Sequence, residues 1–273
     1  MHRLFQQNWH YVSIETTPHP YMSFAMDDVL QEMVSEDGVP KFRAWVHDPY
    51  VILGLHDARL PHLTDGLSYL EDAGFDYIVR NSGGLGVVLD AGILNVSLIL
   101  PKSSAAQIDD GYDLMLELVR RSFPGTDIKA YEIENSYCPG SYDLSIGGRK
   151  FAGISQRRIR QGVAVQVYLC VTGSGADRAE IMRNFYHSSK KGEETKFSYP
   201  DIHPGDMASL NELLGTDLTV DAVLERMLGV IREGGVLEPL PDMDAAMRDR
   251  YHHHIERMRQ RNRGIRKEKE DKK

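Results

Sequence analysis

Cys138 and Lys150 are the residues whose types and spacing could support nucleophilic catalysis. They stand twelve positions apart in the stretch "ENSYCPGSYDLSIGGRKFAGISQRR". Only the thiolate of a cysteine is a nucleophile, and a nearby cation such as a lysine ammonium favours that form. The small, polar and proline residues around Cys138 predict a loop, and loops held by a sheet commonly carry catalytic groups. An incidental loop cysteine is the alternative interpretation.

Lys150 follows the pair Gly147-Gly148, which predicts the turn of a β-hairpin because glycine readily adopts positive φ. That hairpin would present Lys150 from the start of a strand. Strand alternation places Ala152 on the same face as Lys150, and Gly153 on the opposite face. These two small residues leave room for a chain-like substrate beside the lysine. An exposed lysine at a strand end is the alternative.

A glycine-rich stretch, "RNSGGLGVVLDAGILNVSL", occupies residues 80–98. Three glycines within four residues predict a loop whose backbone N–H groups face a ligand, as in loops that bind carbonyl or phosphate oxygens. Small side chains there also leave space for an acyl chain, with Leu85, Val87 and Val88 as further candidates for an apolar slot. The alternative is a glycine-rich turn with those three residues in the core.

Motifs for phosphate loops, dinucleotides and zinc are absent from the sequence, so we expect no metal and no cofactor. The second cysteine, Cys170, lies in the apolar run "GVAVQVYLCV" and is predicted to be inert core. The triplet His252–His254 lies in a charged helical pattern. Because consecutive helical residues point about 100° apart, the three cannot chelate one metal, and we expect a solvated face.

The elements that must position these residues alternate between strands and helices. Their pattern predicts an α+β fold with a large mixed β-sheet flanked by helices. We expect a catalytic domain over residues 1–240 and a helical extension with a basic tail over 241–273. The tripeptide "HDP", after Trp45 and Val46, predicts a hairpin. Strands are predicted at 10–15, 41–47, 50–56, 76–80, 87–90, 94–100, 142–146, 150–156 and 162–171, and helices at 22–35, 65–73, 104–121, 176–188, 219–232 and 241–260.

Composition is that of an ordinary globular protein, with 41% hydrophobic and 26% charged residues in 273. No apolar run reaches the roughly 18 residues that span a bilayer, and two cysteines fit a reducing compartment. We therefore expect a cytoplasmic protein without membrane contact. Residues 257–273 carry nine Lys/Arg against three Asp/Glu, a net charge of +6. Since the whole chain has a net charge of −8, the other 256 residues have a net charge of −14. The basic segment could contact nucleic acid or an acidic protein, whereas the acidic body argues against a main surface that binds nucleic acid.

The segment at residues 80–99, with its Arg, Ser-Gly-Gly run and Asp-x-Gly-x-x-Asn-x-Ser strand entry, resembles the biotin/lipoate protein ligase and octanoyltransferase superfamily. The superfamily pattern G-x-K-x-x-G-x-x-Q is matched by Gly148, Lys150, Gly153 and Gln156. Three stretches, "SYCPGSYDLSIGGRKFAGISQRRIRQGVAVQVYLCV", "VILGLHDARLP" and "TKFSYPDIHP", are similar to its amidotransferase branch. The resemblance covers residues 10 to 235 and implies the catalytic fold of that superfamily.

The resemblance implies transfer of an octanoyl or lipoyl group in lipoate biosynthesis. The donor would be a lysine of the glycine-cleavage H protein, and the acceptors lysines of lipoyl domains of 2-oxoacid dehydrogenase subunits. Cys138 would form an acyl thioester, and Lys150 would be the general acid and base. Backbone N–H groups near Gly83, Gly84 or Lys150 are candidate oxyanion donors. The residues expected to bind the acyl group or oxyanion are Arg80, Ser82, Gly83, Gly84, Ala152 and Gly153.

Three other functions are also compatible with the sequence. An octanoyltransferase that uses acyl carrier protein as donor also has a cysteine. An ATP-dependent lipoate ligase usually has a third consecutive glycine and a histidine where this chain has Leu85 and Leu89, and lacks a cysteine matching Cys138. A non-catalytic module that binds lipoylated proteins would need neither Cys138 nor Lys150.

Positive charge near the predicted site suggests how carrier proteins dock. Arg157, Arg158 and Arg160 follow the Lys150 strand, and the basic tail begins at Arg257. Lipoyl carriers tend to be acidic, and the acidic body of this chain would otherwise repel them. Arg157 and Arg158 are the predicted docking residues. A solvated, fraying C-terminus is the alternative for the tail.

Overall fold

The computed structural model describes residues 3–16 and 19–265, which form two sheets packed between helices. The larger sheet has eight strands in the order β11-β1-β2-β6-β10-β9-β8-β7. β1 pairs in parallel with β2 and β11, and all other pairs in this sheet are antiparallel. These strands are β1 Trp9–Thr16, β2 Lys41–Val46, β6 Ile93–Pro101, β7 Lys129–Ala130, β8 Asp143–Ile146, β9 Arg149–Ile159, β10 Gly162–Cys170 and β11 Leu237–Pro239.

A second, three-stranded sheet has the order β4-β3-β5. It consists of β3 Tyr50–Leu53, β4 Asp76–Val79 and β5 Val87–Leu89. The predicted hairpin at "HDP" is therefore wrong, because β2 and β3 enter different sheets. The glycine-rich loop at 80–86 joins β4 to β5 across the end of β3. There the carbonyl oxygen of Leu53 accepts a hydrogen bond from Arg80 N at 2.9 Å.

The helices cover both faces of the large sheet. On one face, the apolar sides of α3 and α6 bury the main core against the odd-numbered residues of β10, among them Val163, Val165 and Leu169. On the other face lie α1 and the small sheet, which α2 and α4 cover from outside. The helices are α1 Pro20–Asp37, α2 Leu63–Asp72, α3 Ile108–Ser122, α4 Gly175–Lys190, α5 Leu210–Leu214, α6 Val220–Arg232 and α7 Ala245–Asn262.

The last helix, α7, packs along α1. Ile255 and Met258 of this helix are buried, and the Asn262 side chain bonds both backbone polar groups of Val79 at 2.7 and 3.2 Å. α7 thus covers the edge of β4 immediately before the glycine-rich loop. The basic tail beyond residue 265 lies outside the described residues. Within the described part of the chain, none of the helices is long and apolar enough to cross a membrane.

Most predicted strands and helices are present with shifted ends. The predicted strand 50–56 ends at Leu53, and a 3-10 turn at Asp57–Arg59 follows. The short elements α5, β7 and β11 were not predicted, since two to five residues give no readable periodicity. The expected α+β fold with a large mixed sheet is confirmed.

Candidate active site

Cys138 lies in the loop between β7 and β8, in a backbone conformation that is unusual for its type. Its φ is +48°, in the left-handed region, where a residue with a Cβ is strained by roughly 1–2 kcal/mol. Asp143 at the start of β8 holds this loop, because its Oδ2 accepts hydrogen bonds from the N–H groups of Ile133 and Gly140 at 3.1 and 3.2 Å. The strain is therefore maintained by surrounding contacts and points to function at Cys138.

The Cys138 thiol points toward the glycine-rich loop. Its Sγ accepts hydrogen bonds from Leu85 N at 3.1 Å and from Arg80 Nη2 at 3.5 Å. Arg80 is buried, and the same Nη2 donates to Leu85 O at 2.9 Å. The loop thus places one backbone N–H and one guanidinium at the sulfur.

Glycine is required where the two loops meet. Gly84 has φ +94°, and a Cβ there would lie 2.3 Å from Arg80 Nη2 and 2.9 Å from the Cys138 sulfur. A Cβ on Gly54, at the end of β3, would lie only 2.0 Å from the Gly84 carbonyl oxygen. By contrast, a Cβ on Gly83 would meet no atom within 4 Å. Gly54 and Gly84 therefore allow the close backbone approach that brings Arg80 to the thiol.

Lys150 is fully buried at the start of β9 and bonds the backbone of the Cys138 loop. Its Nζ lies 2.8 Å from Asp143 Oδ1 and donates to Ser136 Oγ at 3.0 Å. It also donates to the carbonyl oxygens of Tyr137 and Cys138, both at 2.9 Å. Burial raises the pKa of the Asp143 carboxyl, although the charge of Lys150 opposes this. The predicted Cys138–Lys150 pair is thus adjacent in space, with hydrogen bonds from the lysine to the main chain.

The β8–β9 hairpin is present as predicted, with Gly147 and Gly148 at φ +58° and +80° in its two-residue turn. A register shift after Leu144 changes which residues share a face. Phe151 and Ala152 both pack into the main core, so the predicted common face of Ala152 and Lys150 is wrong. Gly153 instead faces Lys150, since a Cβ there would lie 3.5 Å from Lys150 Cε.

A cavity of about 260 Å³ runs from Cys138 across the large sheet. Its floor is a row of directly paired residues on successive strands, in the order Asp143, Gly153, Tyr168, Asn95 and Trp45. Apolar side chains from both sheets and α1 close it, namely Phe24, Ile52, Val87, Leu89, Val96, Ile154 and Val167. The site can therefore hold an extended apolar chain with its reactive end at the thiol.

Of the residues predicted to bind the acyl group or oxyanion, Arg80, Gly83, Gly84 and Gly153 line this cavity. Ser82 and Ala152 are buried elsewhere and do not line it. Val87 lines the cavity as predicted for the apolar slot, whereas Leu85 and Val88 do not. The lining residues on β2 and β6 come from distant sequence positions that sequence reasoning did not connect to the site.

Comparison with known proteins identifies the chain. Residues 19–232 match the lipoyl protein ligase A/B catalytic domain. The chain belongs to this family. An octanoyl-[GcvH]:protein N-octanoyltransferase of Macrococcus caseolyticus is 51% identical over 261 residues, covering 95% of each chain. Relatives with the same name from Exiguobacterium sibiricum and Staphylococcus aureus are 54% and 48% identical, covering 87% and 93% of this chain and 86% and 93% of their own. The chain therefore falls within the N-octanoyltransferases, which are acyltransferases.

Solved structures of more distant relatives share the fold. A putative lipoate protein ligase of Thermoplasma acidophilum has a TM-score of 0.70 at 17% identity, covering 92% of this chain and 95% of its own. Lipoate-protein ligase A bound with ATP has a TM-score of 0.69 at 18% identity, covering 91% of this chain and 94% of its own. At these identities the likeness concerns the fold alone.

A second layer of residues supports the glycine-rich loop of this family member. Asp57 is buried in the 3-10 turn after β3 and accepts hydrogen bonds from Gly54 N at 2.7 Å and Tyr186 OH at 3.0 Å. The Tyr186 oxygen in turn accepts from Gly86 N at 3.3 Å. Burial raises the pKa of Asp57 to about 6. Sequence reasoning missed Asp57, because a lone aspartate in "GLHDARLP" carries no recognisable pattern.

The two predicted docking arginines are engaged within the chain. Arg157 Nε lies 2.7 Å from Asp28 Oδ1, and its Nη1 donates to Asn81 O at 2.8 Å. Arg158 donates to two backbone carbonyls between β6 and α3. Arg157 thus braces the glycine-rich loop from behind, and neither side chain is a free surface charge.

The remaining candidates differ in outcome. Cys170 is buried core as predicted, and burial raises the pKa of its thiol to about 12. The solvated face predicted for His252–His254 is wrong at His254, which is buried with its ring nitrogens 3.5 Å from Asp28 and 3.3 Å from Glu32. Residues 3–16 and 19–265 contain no cluster of three His, Cys, Asp or Glu suited to a metal ion.

Proposed function

We propose that this protein transfers an octanoyl or lipoyl group from a lysine of the glycine-cleavage H protein to lysines of lipoyl domains. The relatives at about 50% identity are named for octanoyl transfer from GcvH. The observation that carries the proposal is the strained Cys138, whose thiol meets Arg80 and the N–H of Leu85 at the mouth of an apolar cavity. The acceptors would be the lipoyl domains of 2-oxoacid dehydrogenase subunits.

In the first half-reaction, the Cys138 thiolate attacks the carbonyl carbon of the octanoyl-lysine amide. The tetrahedral intermediate collapses as the carbon–nitrogen bond breaks, which leaves a thioester on Cys138 and a free lysine on the donor. The departing amine needs a proton, which the Lys150 ammonium supplies. Lys150 gives up one of its hydrogen bonds to the Cys138 loop to reach this nitrogen.

In the second half-reaction, the lysine amine of a lipoyl domain attacks the thioester carbonyl. Neutral Lys150 takes the proton from the incoming amine, and the Cys138 thiolate leaves. One amide replaces another, so the exchange is close to neutral in free energy and needs no ATP. This agrees with a sequence that has no phosphate loop.

Binding of the acyl group is assigned to the cavity that Arg80, Gly83, Gly84 and Gly153 line. The backbone N–H groups of Gly83 and Gly84 are the candidate donors to the oxyanion, since both residues border the cavity beside the thiol. Two free cysteines suit a reducing compartment, and we place the protein in the cytoplasm.

A direct test mixes the protein with octanoylated H protein and apo lipoyl domain, without acyl carrier protein or ATP. We expect a gain of about 126 Da on the lipoyl domain and, transiently, on the enzyme. The adduct should map to Cys138 and be absent from a Cys138→Ser variant. Transfer only from octanoyl acyl carrier protein, or only from free octanoate with ATP, would overturn the proposed donor. Acyl transfer that survives Cys138→Ser would overturn the thioester.

A further inference from the structure

Arg80 stands out among the buried cations of the described residues because it has no carboxylate partner. Five Lys and Arg side chains are buried there. Four lie within 3.0 Å of a carboxylate oxygen: Lys41 with Asp37, Arg43 with Asp27, Lys150 with Asp143 and Arg178 with Asp90. The hydrogen-bond acceptors of Arg80 are instead Leu85 O and Cys138 Sγ.

A buried cation without a counter-ion is costly, because its charge loses the solvation of water. The cost falls if an anion lies within hydrogen-bond distance. Among residues 3–16 and 19–265, the one group within hydrogen-bond distance of Arg80 that can become an anion is the Cys138 thiol, 3.5 Å from Nη2. The N–H of Leu85, at 3.1 Å, adds a second donor to the same sulfur.

We propose that Arg80, together with the N–H of Leu85, holds Cys138 as a thiolate, and that Lys150 does not. Resting on the proposed function, this makes Arg80 a catalytic residue that contacts the reacting sulfur. Lys150 stabilises a negative charge on the sulfur less than Arg80 does, because the charge of Lys150 is paired with Asp143 at 2.8 Å. Its hydrogen bonds go to the loop backbone. Lys150 is then free to serve proton transfer alone.

Other polar groups around the sulfur do not replace Arg80. From β8, β9 and β10 the facing groups are Asp143, Lys150 and Tyr168, of which the first two neutralise each other. Tyr186 faces the sulfur from α4. Asp57 lies behind the glycine-rich loop and accepts a hydrogen bond from the Tyr186 hydroxyl. Asp57 interacts with Arg80 only through the charge of the guanidinium, which lowers the Asp57 pKa against the larger effect of burial.

Cys170 provides an internal comparison. It also accepts a hydrogen bond from an arginine, Arg178 Nη1, at 2.7 Å. Arg178 is bound to Asp90 by two further hydrogen bonds, so its charge is already matched. Burial raises the pKa of the Cys170 thiol to about 12, which keeps it protonated. Arg178 favours the Cys170 thiolate, but burial outweighs it and the nearby Asp90 charge opposes it.

Alkylation by iodoacetamide tests the proposal without any acyl substrate, since only the thiolate reacts. The rate at Cys138 is followed by mass spectrometry from about pH 6 to 9. We expect little change over this range in the native protein. In Arg80→Met the rate should fall at least about tenfold at neutral pH and rise with pH. Arg80→Lys, which keeps a cation, should lie between the two, and Arg183→Met, which removes an exposed cation, should match the native protein.

A double variant, Lys150→Met with Asp143→Asn, removes the other pair without leaving a buried charge. We expect its alkylation rate to stay independent of pH, although the loss of the Lys150 hydrogen bonds to the loop lowers the rate itself. An alkylation rate that stays independent of pH in Arg80→Met would overturn the proposal, all the more if the double variant loses that independence. Should Arg80→Met behave like the urea-denatured protein, Arg80→Lys decides: an alkylation profile between the native and the denatured ones supports the proposal, and the denatured profile overturns it. Normal alkylation without octanoyl transfer would instead refute the proposed function.

Discussion

Lys150 Nζ donates to the carbonyl oxygen of Cys138 at 2.9 Å, so the lysine holds the backbone of the residue whose thiol lies in the cavity. The thiol itself turns away, toward Leu85 N and Arg80. Two loops and one strand thus contact different parts of Cys138. The β7–β8 loop imposes the strained backbone, the strand β9 fixes it, and the glycine-rich loop contacts the sulfur.

Glycine should relieve the strain at Cys138. Since φ is +48° there, Cys138→Gly should be more stable than Cys138→Ala by about 1 kcal/mol, measured as the free energy of unfolding in urea. Neither variant should form an acyl adduct. At exposed Ser141, where φ is not positive, Gly should be no more stable than Ala. Equal stability of the two Cys138 variants would contradict the strain.

The contact of the two loops should depend on Gly84 and not on Gly83. Gly84→Ala places a Cβ against Arg80 and the Cys138 sulfur at φ +94°, whereas Gly83→Ala meets open space. We expect Gly84→Ala to lose at least about tenfold in octanoyl transfer and roughly 1–2 kcal/mol of stability. Gly83→Ala should keep native stability. The check is transfer rate and urea unfolding of both variants side by side.

Asp143 should be essential for stability as well as activity. It is the carboxylate partner of buried Lys150 and accepts two backbone N–H groups of the Cys138 loop. Removing one member of a buried pair leaves an unmatched charge, so Asp143→Ala should cost about 3–5 kcal/mol in the free energy of unfolding. Its exposed counterpart Glu180→Ala, which frees Arg183, should cost under about 1 kcal/mol. A small loss in Asp143→Ala would refute the structural role of the pair.

Sequence predicted those parts of the site that depend on local chain chemistry. The two-glycine turn before Lys150 forms the expected hairpin, and Cys138 lies in the expected loop. The register shift after Leu144 was not predicted, because the small residues Ala152 and Gly153 fit either face of the strand and hide the change in alternation. It moves Ala152 into the core and Gly153 to the cavity.

Contacts between segments that are distant in the sequence were also not predicted. Arg80 and Cys138 are 58 positions apart, and only the path of β4 to β5 over the end of β3 brings them together. The short "HDP" connection suggested a hairpin, yet its flanking strands diverge into two sheets. His254 was predicted to be solvated because the charged sequence of α7 has no apolar stripe that marks the face packed against α1.

Asp57 should make stability depend on pH. Burial raises its pKa in the folded protein to about 6, above the ordinary 3.8, so the folded state binds the proton more tightly. Its contribution is therefore full below about pH 4 and is lost as pH rises to about 6, in total about 3 kcal/mol. Asp57→Asn should remove this slope. The difference in unfolding free energy between native and variant, compared at the two pH values, checks the sign; no change in that difference would contradict it.

Trp45 should limit the length of the acyl chain. It ends the row Gly153, Tyr168, Asn95, Trp45 on the cavity floor, two strand spacings or about 10 Å beyond Tyr168. This span suits an extended eight-carbon chain whose carbonyl lies at Cys138. Trp45→Ala should open the far end and raise transfer of dodecanoyl from H protein relative to octanoyl at least about tenfold. Exposed Tyr131→Ala, outside the cavity, should leave the ratio unchanged. Competition between the two acylated donors, followed by mass spectrometry of the acceptor, measures the ratio of dodecanoyl to octanoyl transfer. An unchanged ratio in Trp45→Ala would place the end of the acyl chain elsewhere.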